Sequence, residues 1–160
     1  MSSWVRLGAA VSAFAFAGLI CAQEAPAAHS GTAKIDQLAK SSGYGFTRKT
    51  DSVWAADFQG KILKQFRLVV AVQDDVLVTF VTLAEKDRLP VSTEFMHMLL
   101  HYNSTLDRVK IGYDDDGDLF VRCDASVRVV DAKEFHAIVD QVAAASDEVY
   151  AGIVELISHD

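Results

Sequence analysis

The chain has 160 residues, is 51% hydrophobic and 23% charged, and carries a formal net charge of −7. That apolar content supports a real core and argues against disorder, and the length fits one domain behind a short leader. The acidic balance, with no basic stripe carrying interleaved aromatics, argues against a nucleic-acid partner.

Residues 1–22 have the form of a secretory signal peptide. Arg6 supplies a positive start, and residues 7–20, LGAAVSAFAFAGLI, are apolar but short for a bilayer span. Cleavage after Ala22 leaves no membrane span and places the protein in the periplasm or outside the cell. Retention of the leader as an anchor is the alternative. Lipidation of Cys21 fits poorly because the bulky Ile20 precedes it. If Cys21 leaves with the leader, Cys123 has no partner for an intramolecular disulfide. Its parity with Leu119 and Val121 makes it a buried small hydrophobe.

Residues 23–33, QEAPAAHSGTA, have no apolar period and are expected to be a flexible spacer, so that one α+β domain spans 34–160. A short helix is expected at about 32–42, with Ile35, Leu38 and Ala39 on one stripe and Gly43 as its stop. Residues 53–58 alternate, and Gln59-Gly60 predicts a tight turn. A longer strand is expected next, with Ile62, Phe66, Leu68, Val70 and Val72 sharing one parity. Asp74-Asp75 marks a reversal. Residues 76–83 are almost wholly apolar or β-branched, as in a central strand covered on both sides. The charged run 85–89 is a solvated connection.

Pro90 opens the approach to a second helix, about 92–104, with Ser92 or Val91 near its cap. Its stripes are Phe95, Leu99 and Tyr102, then Met96, Leu100 and Asn103. Two alternating strands follow within 109–124, VKIGYDDDGDLFVRCD. The final helix begins at a capping-box-like pair, Asp131 and Glu134, with Val130 placed to staple to Phe135. Its stripe runs from Ile138 to Ile157, and residues 143–146 are small enough for close packing. The predicted architecture is α+β with an antiparallel sheet of about five strands, in the order α-β-β-β-α-β-β-α.

With that order, the second half resembles the YbjN family of bacterial sensory transduction regulators. Leu99, Leu100 and Asn103 carry the resemblance. So do the Gly117-Asp118-Leu119 turn, the Phe120-Val121-Arg122 strand and the acidic helix opening at Asp131 and Glu134. It covers about 95–157 well and the first three strands loosely. It implies a fold like that of the type III secretion chaperones, a module that binds other polypeptides and can dimerise, and no catalytic residues or cofactor. Secretion chaperones act in the cytoplasm, so the leader departs from the pattern, and the chaperone role itself is not carried over.

Two clusters invite metal chemistry. Asp114, Asp115, Asp116 and Asp118 group oxygen ligands, but the glycine falls at the fourth position where a calcium loop needs it at the sixth. They are expected to form a polar hairpin tip. His97 and His101, four residues apart, share a helical face, and Met96 and Met98 add soft donors suited to copper or zinc. The two methionines point to different faces. The simpler expectation is core-filling methionines and solvated histidines, with metal handling as the alternative function. No motif nominates an enzyme. The expected function is an exported, non-enzymatic protein-binding module, with a protein partner or a second copy held at a sheet face or along the low-bulk last helix. Trp54, Phe58, Phe66 and Tyr102 are the candidate groove residues.

Overall fold

The computed structural model describes residues 28–90 and 92–159. The expected leader with Cys21, and residues 23–27 of the expected spacer, lie outside them. Three helices, α1 (Ala28–Ser41), α2 (Thr93–Thr105) and α3 (Ala132–His159), accompany six strands. These are β1 (Thr47–Thr50), β2 (Val53–Phe58), β3 (Phe66–Gln73), β4 (Val76–Ala84), β5 (Lys110–Tyr113) and β6 (Leu119–Ser126). All pairings are antiparallel and the sheet order is β1-β2-β3-β4-β6-β5. The α+β class and the element order agree with the sequence, with one strand added. No helix among the described residues is long and apolar enough to cross a membrane.

The added strand is β1, Thr-Arg-Lys-Thr, exposed along its whole length. An edge strand with one neighbour needs no apolar face, so it left no hydrophobic signal. Two further expectations are corrected. Helix α1 begins at Ala28, so residues 28–33 are helical and not a spacer. An added Cβ at Gly31 would lie 3.2 Å from the Val127 side chain, a spacing that lets this turn approach the β6–α3 connection. The Gln59-Gly60 reversal is not tight, because Phe58 pairs with Phe66 and residues 59–65 form a loop. Asp147 of α3 holds that loop. Its carboxylate accepts from the backbone N–H of Lys61 (3.0 Å), Ile62 (2.9 Å) and Leu63 (2.7 Å). This arrangement ends the Ile62 parity run before the strand starts.

The reversals that fix register are local. Gln73 pairs directly with Val76, leaving Asp74 in the left-handed region at φ 53°. Aspartate tolerates that conformation through its own side-chain hydrogen bonds. At the start of α3 the Asp131 carboxylate accepts from Glu134 N at 2.8 Å, and Val130 and Phe135 are buried beside it. Glu134 itself turns away to Arg108. The cap therefore forms, but the reciprocal half of the box is an ion pair.

One face of the sheet makes the core. Trp54, Leu68, Val70, Leu77, Val81, Leu119 and Val121 are buried there with Ile35 of α1, Phe95 and Leu99 of α2 and the Phe135–Ile153 stripe of α3. All three helices lie against this face. Cys123 belongs to it, 2% exposed, and burial pushes its thiol up from the ordinary value.

Candidate binding surfaces

The opposite face of the sheet is where the molecule departs from its sequence pattern. Alternation places Val53, Ala55, Val69, Ala71, Val78, Phe80 and Phe120 on it, in register across β2, β3, β4 and β6. None of the described helices covers this face. The expectation that β4 is covered on both sides is therefore corrected: it is central in the sheet but packed by helix on one side. Its apolar run has a different meaning. Of its residues on this face, Val76 is 39% exposed and Phe80 half-buried, while Val78 is only 4% exposed.

A recess of about 230 Å³ opens on this face, lined by Ala71, Gln73, Val78, Phe80, Thr82, Asp114, Phe120 and Arg122. Phe80 and Phe120 stand as its apolar walls and Ala71 and Val78 make a low floor. Gly112 opposite Phe120 is a packing requirement, because an added Cβ would lie 3.2 Å from the Phe120 ring. Beside the recess, Asp124 accepts from Arg122 Nε (2.5 Å), Arg122 Nη2 (3.2 Å) and Lys110 Nζ (2.6 Å). Burial raises its pKa, but the hydrogen bonds of Arg122 and Lys110 outweigh that and hold the carboxyl below the ordinary range. Two cations thus share one carboxylate. At the other end of the face Arg67 and Asp57 form a balanced pair at 2.9 Å.

The second surface is a groove of about 710 Å³ between the 59–65 loop and α3, with Ile62, Phe66, Ala143, Ala144 and Ala151 among its lining. The low-bulk stretch of α3 is split by this arrangement. Ala143 and Ala144 face the groove, while Ala145 and Ser146 are buried inward. Ile62 stands 47% exposed on the loop that Asp147 holds.

The aromatic candidates distribute unevenly. Trp54 is 1% exposed and donates from Nε1 to Asp36 at 2.9 Å, so it is core and unavailable to a partner. Hydrogen bonds from Lys40 and then Trp54 hold the Asp36 carboxyl low. Phe66 is 8% exposed and stacks on Phe58 at 5.8 Å, and it lines the α3 groove only at its edge. Phe58 is half-buried under Tyr44. Tyr102 packs towards α3, its hydroxyl 3.5 Å from the Glu148 carbonyl. These four do not form one site.

His97 and His101 share an exposed face of α2, and no group of three metal-ligating side chains gathers among the described residues. The methionine expectation is half corrected. Met98 is partly buried against α3, but Met96 is 47% exposed, as is Leu100 at 63%. With Tyr113, whose hydroxyl lies 3.8 Å from Met96 Sδ, they make a small apolar patch at the β5 edge. The four aspartates form a hairpin tip. Asp114 Oδ1 accepts from the N–H of Asp116 (3.1 Å) and Asp118 (2.9 Å), while Asp118 accepts from Lys86 N. Gly117 supplies φ 91°.

The α+β arrangement of an antiparallel sheet with its helices matches the fold of type III secretion chaperones. Similar chains occur in the heterodimeric ExoU–SpcU complex of the Pseudomonas aeruginosa type III secretion system (21% identity, TM-score 0.53, covering 76% of this chain and 96% of that one). Others are in the ExsC–ExsE complex (10%, TM-score 0.57, 81% and 97%) and in the Yersinia pestis secretion chaperone SycH bound to a fragment of YscM2 (12%, TM-score 0.53, 74% and 98%). At these identities the likeness is one of fold. No protein-family model and no curated protein matches the chain, so the YbjN resemblance rests on its motif residues alone.

Proposed function

We propose that this chain is a non-enzymatic, YbjN-like polypeptide-binding module that works by surface shape, with the open face of the sheet as its main binding surface. The observation that carries this is the cross-strand pair Val69 and Phe80, both half-buried, with Phe120 and the exposed Val76 on a face that none of the described helices packs against. A central strand that faces water on one side is ordinarily polar there, and an exposed contiguous apolar surface marks an interaction site. The fold likeness supports the same reading, since the similar chains come from structures of protein complexes. Export to the periplasm or beyond belongs to the proposal and rests on the leader at 1–22.

A second copy is a further partner in this proposal, at a different place. Met96, Leu100 and Tyr113 form an exposed patch on α2 and the β5 edge, separate from the open face.

Affinity capture of the full chain from its own cell envelope, with mass spectrometry, tests both. Phe80→Glu is expected to lose the captured protein while Leu100→Glu keeps it and abolishes any dimer seen by light scattering. Equal capture by wild type and Phe80→Glu would refute the open face as the binding surface.

A further inference from the structure

Helix α1 starts beside the open face. In its first turn an added Cβ at Gly31 would lie 3.2 Å from the Val127 side chain, and Lys34 Nζ donates to the Val127 (2.8 Å) and Arg128 (3.1 Å) carbonyls. The Val127 N–H in turn donates to Asp75 O at 2.9 Å, and the next residue, Val76, begins the open-face row of β4. The first turn of α1 is thus pinned at the end of the sheet where that row starts. Residues 21–27 connect α1 to the apolar stretch 7–20, LGAAVSAFAFAGLI. Those seven residues span up to about 25 Å when extended, and the β4 row from Val76 to Thr82 is about 20 Å long. The stretch therefore reaches the whole face.

The charges on this face cancel among themselves. Asp124 engages both Lys110 and Arg122, Asp114 lines the recess with Arg122, Arg67 pairs with Asp57 at 2.9 Å, and Arg128 at the rim pairs with Asp75 at 2.8 Å. What is left for an occupant is apolar: Val69, Val76, Phe80 and Phe120. Such a face fits an uncharged segment. The stretch 7–20 has no charged side chain, and it sets Phe14, Phe16 and Leu19 among alanine and glycine.

We propose that the stretch 7–20 docks on the open face of its own chain for as long as it stays attached, with a phenylalanine, Phe14 or Phe16, in the Phe80–Phe120 recess. Cleavage after Ala22 then uncovers the surface. This rests on the open face being the polypeptide-binding surface and adds how that surface is regulated. A segment on a short tether competes at an effective concentration in roughly the millimolar range. An outside partner thus meets a closed face before cleavage and an open one after it. The docked stretch also keeps an apolar face from associating with other chains before export.

The test is photo-crosslinking of the full chain made by cell-free synthesis without membranes, so that the leader stays attached. A benzophenone amino acid replaces Phe80, or Val154 on α3 as control. Equal amounts of ordinary and heavy-isotope chain are mixed before illumination. Trypsin, cutting after Arg6 and Lys34, releases the stretch within one fragment, 7–34, for mass spectrometry. Position 80 is expected to join to 7–34 within a single chain and position 154 is not. Phe14→Asp with Phe16→Asp should lower the yield about ten-fold. Equal yields from positions 80 and 154, no adduct to 7–34, or a yield that ignores the two aspartates would overturn the proposal. Adducts that join an ordinary chain to a heavy one would make the leader of a second copy the occupant and overturn it as well. Illumination of the same chains with the soluble fraction of the cell envelope separates this failure from failure of the surface. A discrete partner adduct from position 80, with none to 7–34, removes the cover and leaves the binding surface standing. Absence of both removes the surface itself.

Discussion

Asp147→Asn removes the charge that organises the 59–65 loop. In the native protein one carboxylate accepts three backbone N–H groups, from Lys61, Ile62 and Leu63. Asparagine keeps one acceptor oxygen. Placed to serve Ile62 and Leu63, it turns its amide N–H₂ towards the Lys61 N–H, donor against donor. A hydrogen bond to a charged group contributes about 1.5–3 kcal/mol, a neutral one about 0.5–1.5. The Lys61 and Ile62 amides are exposed and water can replace their partner, so the net loss is about 2 kcal/mol for the set. For a domain of this size that lowers the melting temperature by about 5–8 °C.

The pH dependence has a definite sign. Burial pushes the Asp147 pKa up, but the three amides outweigh it and leave the native carboxyl below its ordinary value. The unfolded chain therefore binds the proton first as pH falls. The stabilisation is complete above the ordinary carboxylate value of about 4 and disappears as pH drops through the lower native value. The gap between wild type and Asp147→Asn should be full at neutral pH and shrink below about pH 4. Thermal melts from acidic to neutral pH, with amide exchange of residues 61–63, measure it. An unchanged melting temperature, or a gap that does not move with pH, would refute the assignment of Asp147 as the clasp of this loop.

Other substitutions probe the core and the sheet edge. The Thr79 hydroxyl is buried with no hydrogen-bond partner among the described residues, so Thr79→Val should stabilise by up to about 1 kcal/mol in urea unfolding, and a clear loss would show a hidden partner. Asn103 closes the outer edge of β5 by accepting from Ile111 N (2.8 Å) and donating to Ile111 O (3.0 Å). Asn103→Asp sets a carboxylate against that carbonyl and should cost about 1–3 kcal/mol, whereas an unchanged unfolding midpoint would count against the edge clasp. The Cys123 thiol, buried and pushed up, should react with a thiol reagent only after denaturation; fast labelling of the folded chain would contradict its place in the core.

Local chemistry was the legible part of this molecule. The Asp131 cap, the Asp74-Asp75 reversal and the Asp-rich hairpin tip each depend on residues a few positions apart. All three form. Asn103, one of the residues that carry the family resemblance, has a physical job that becomes visible only when β5 lies beside it. The loop held by Asp147 was illegible for the same reason, since its clasp lies more than eighty residues away. Strand β1 carries no apolar pattern at all. Strand β4 differs most from its sequence pattern. Its apolar run predicts cover on both faces, but periodicity reports that a side chain avoids water and not what shields it. Among the described residues no helix shields one face, and the proposed binding surface rests on that mismatch.

The most direct measurement is site-specific photo-crosslinking in the cells that make this protein. A benzophenone amino acid replaces Phe80 on the open face, and in a matched control Val154, 44% exposed on α3. The open-face account predicts a discrete polypeptide adduct from position 80, absent from position 154. Adducts of equal yield from both positions, or none from position 80 while the full chain remains folded, would contradict it.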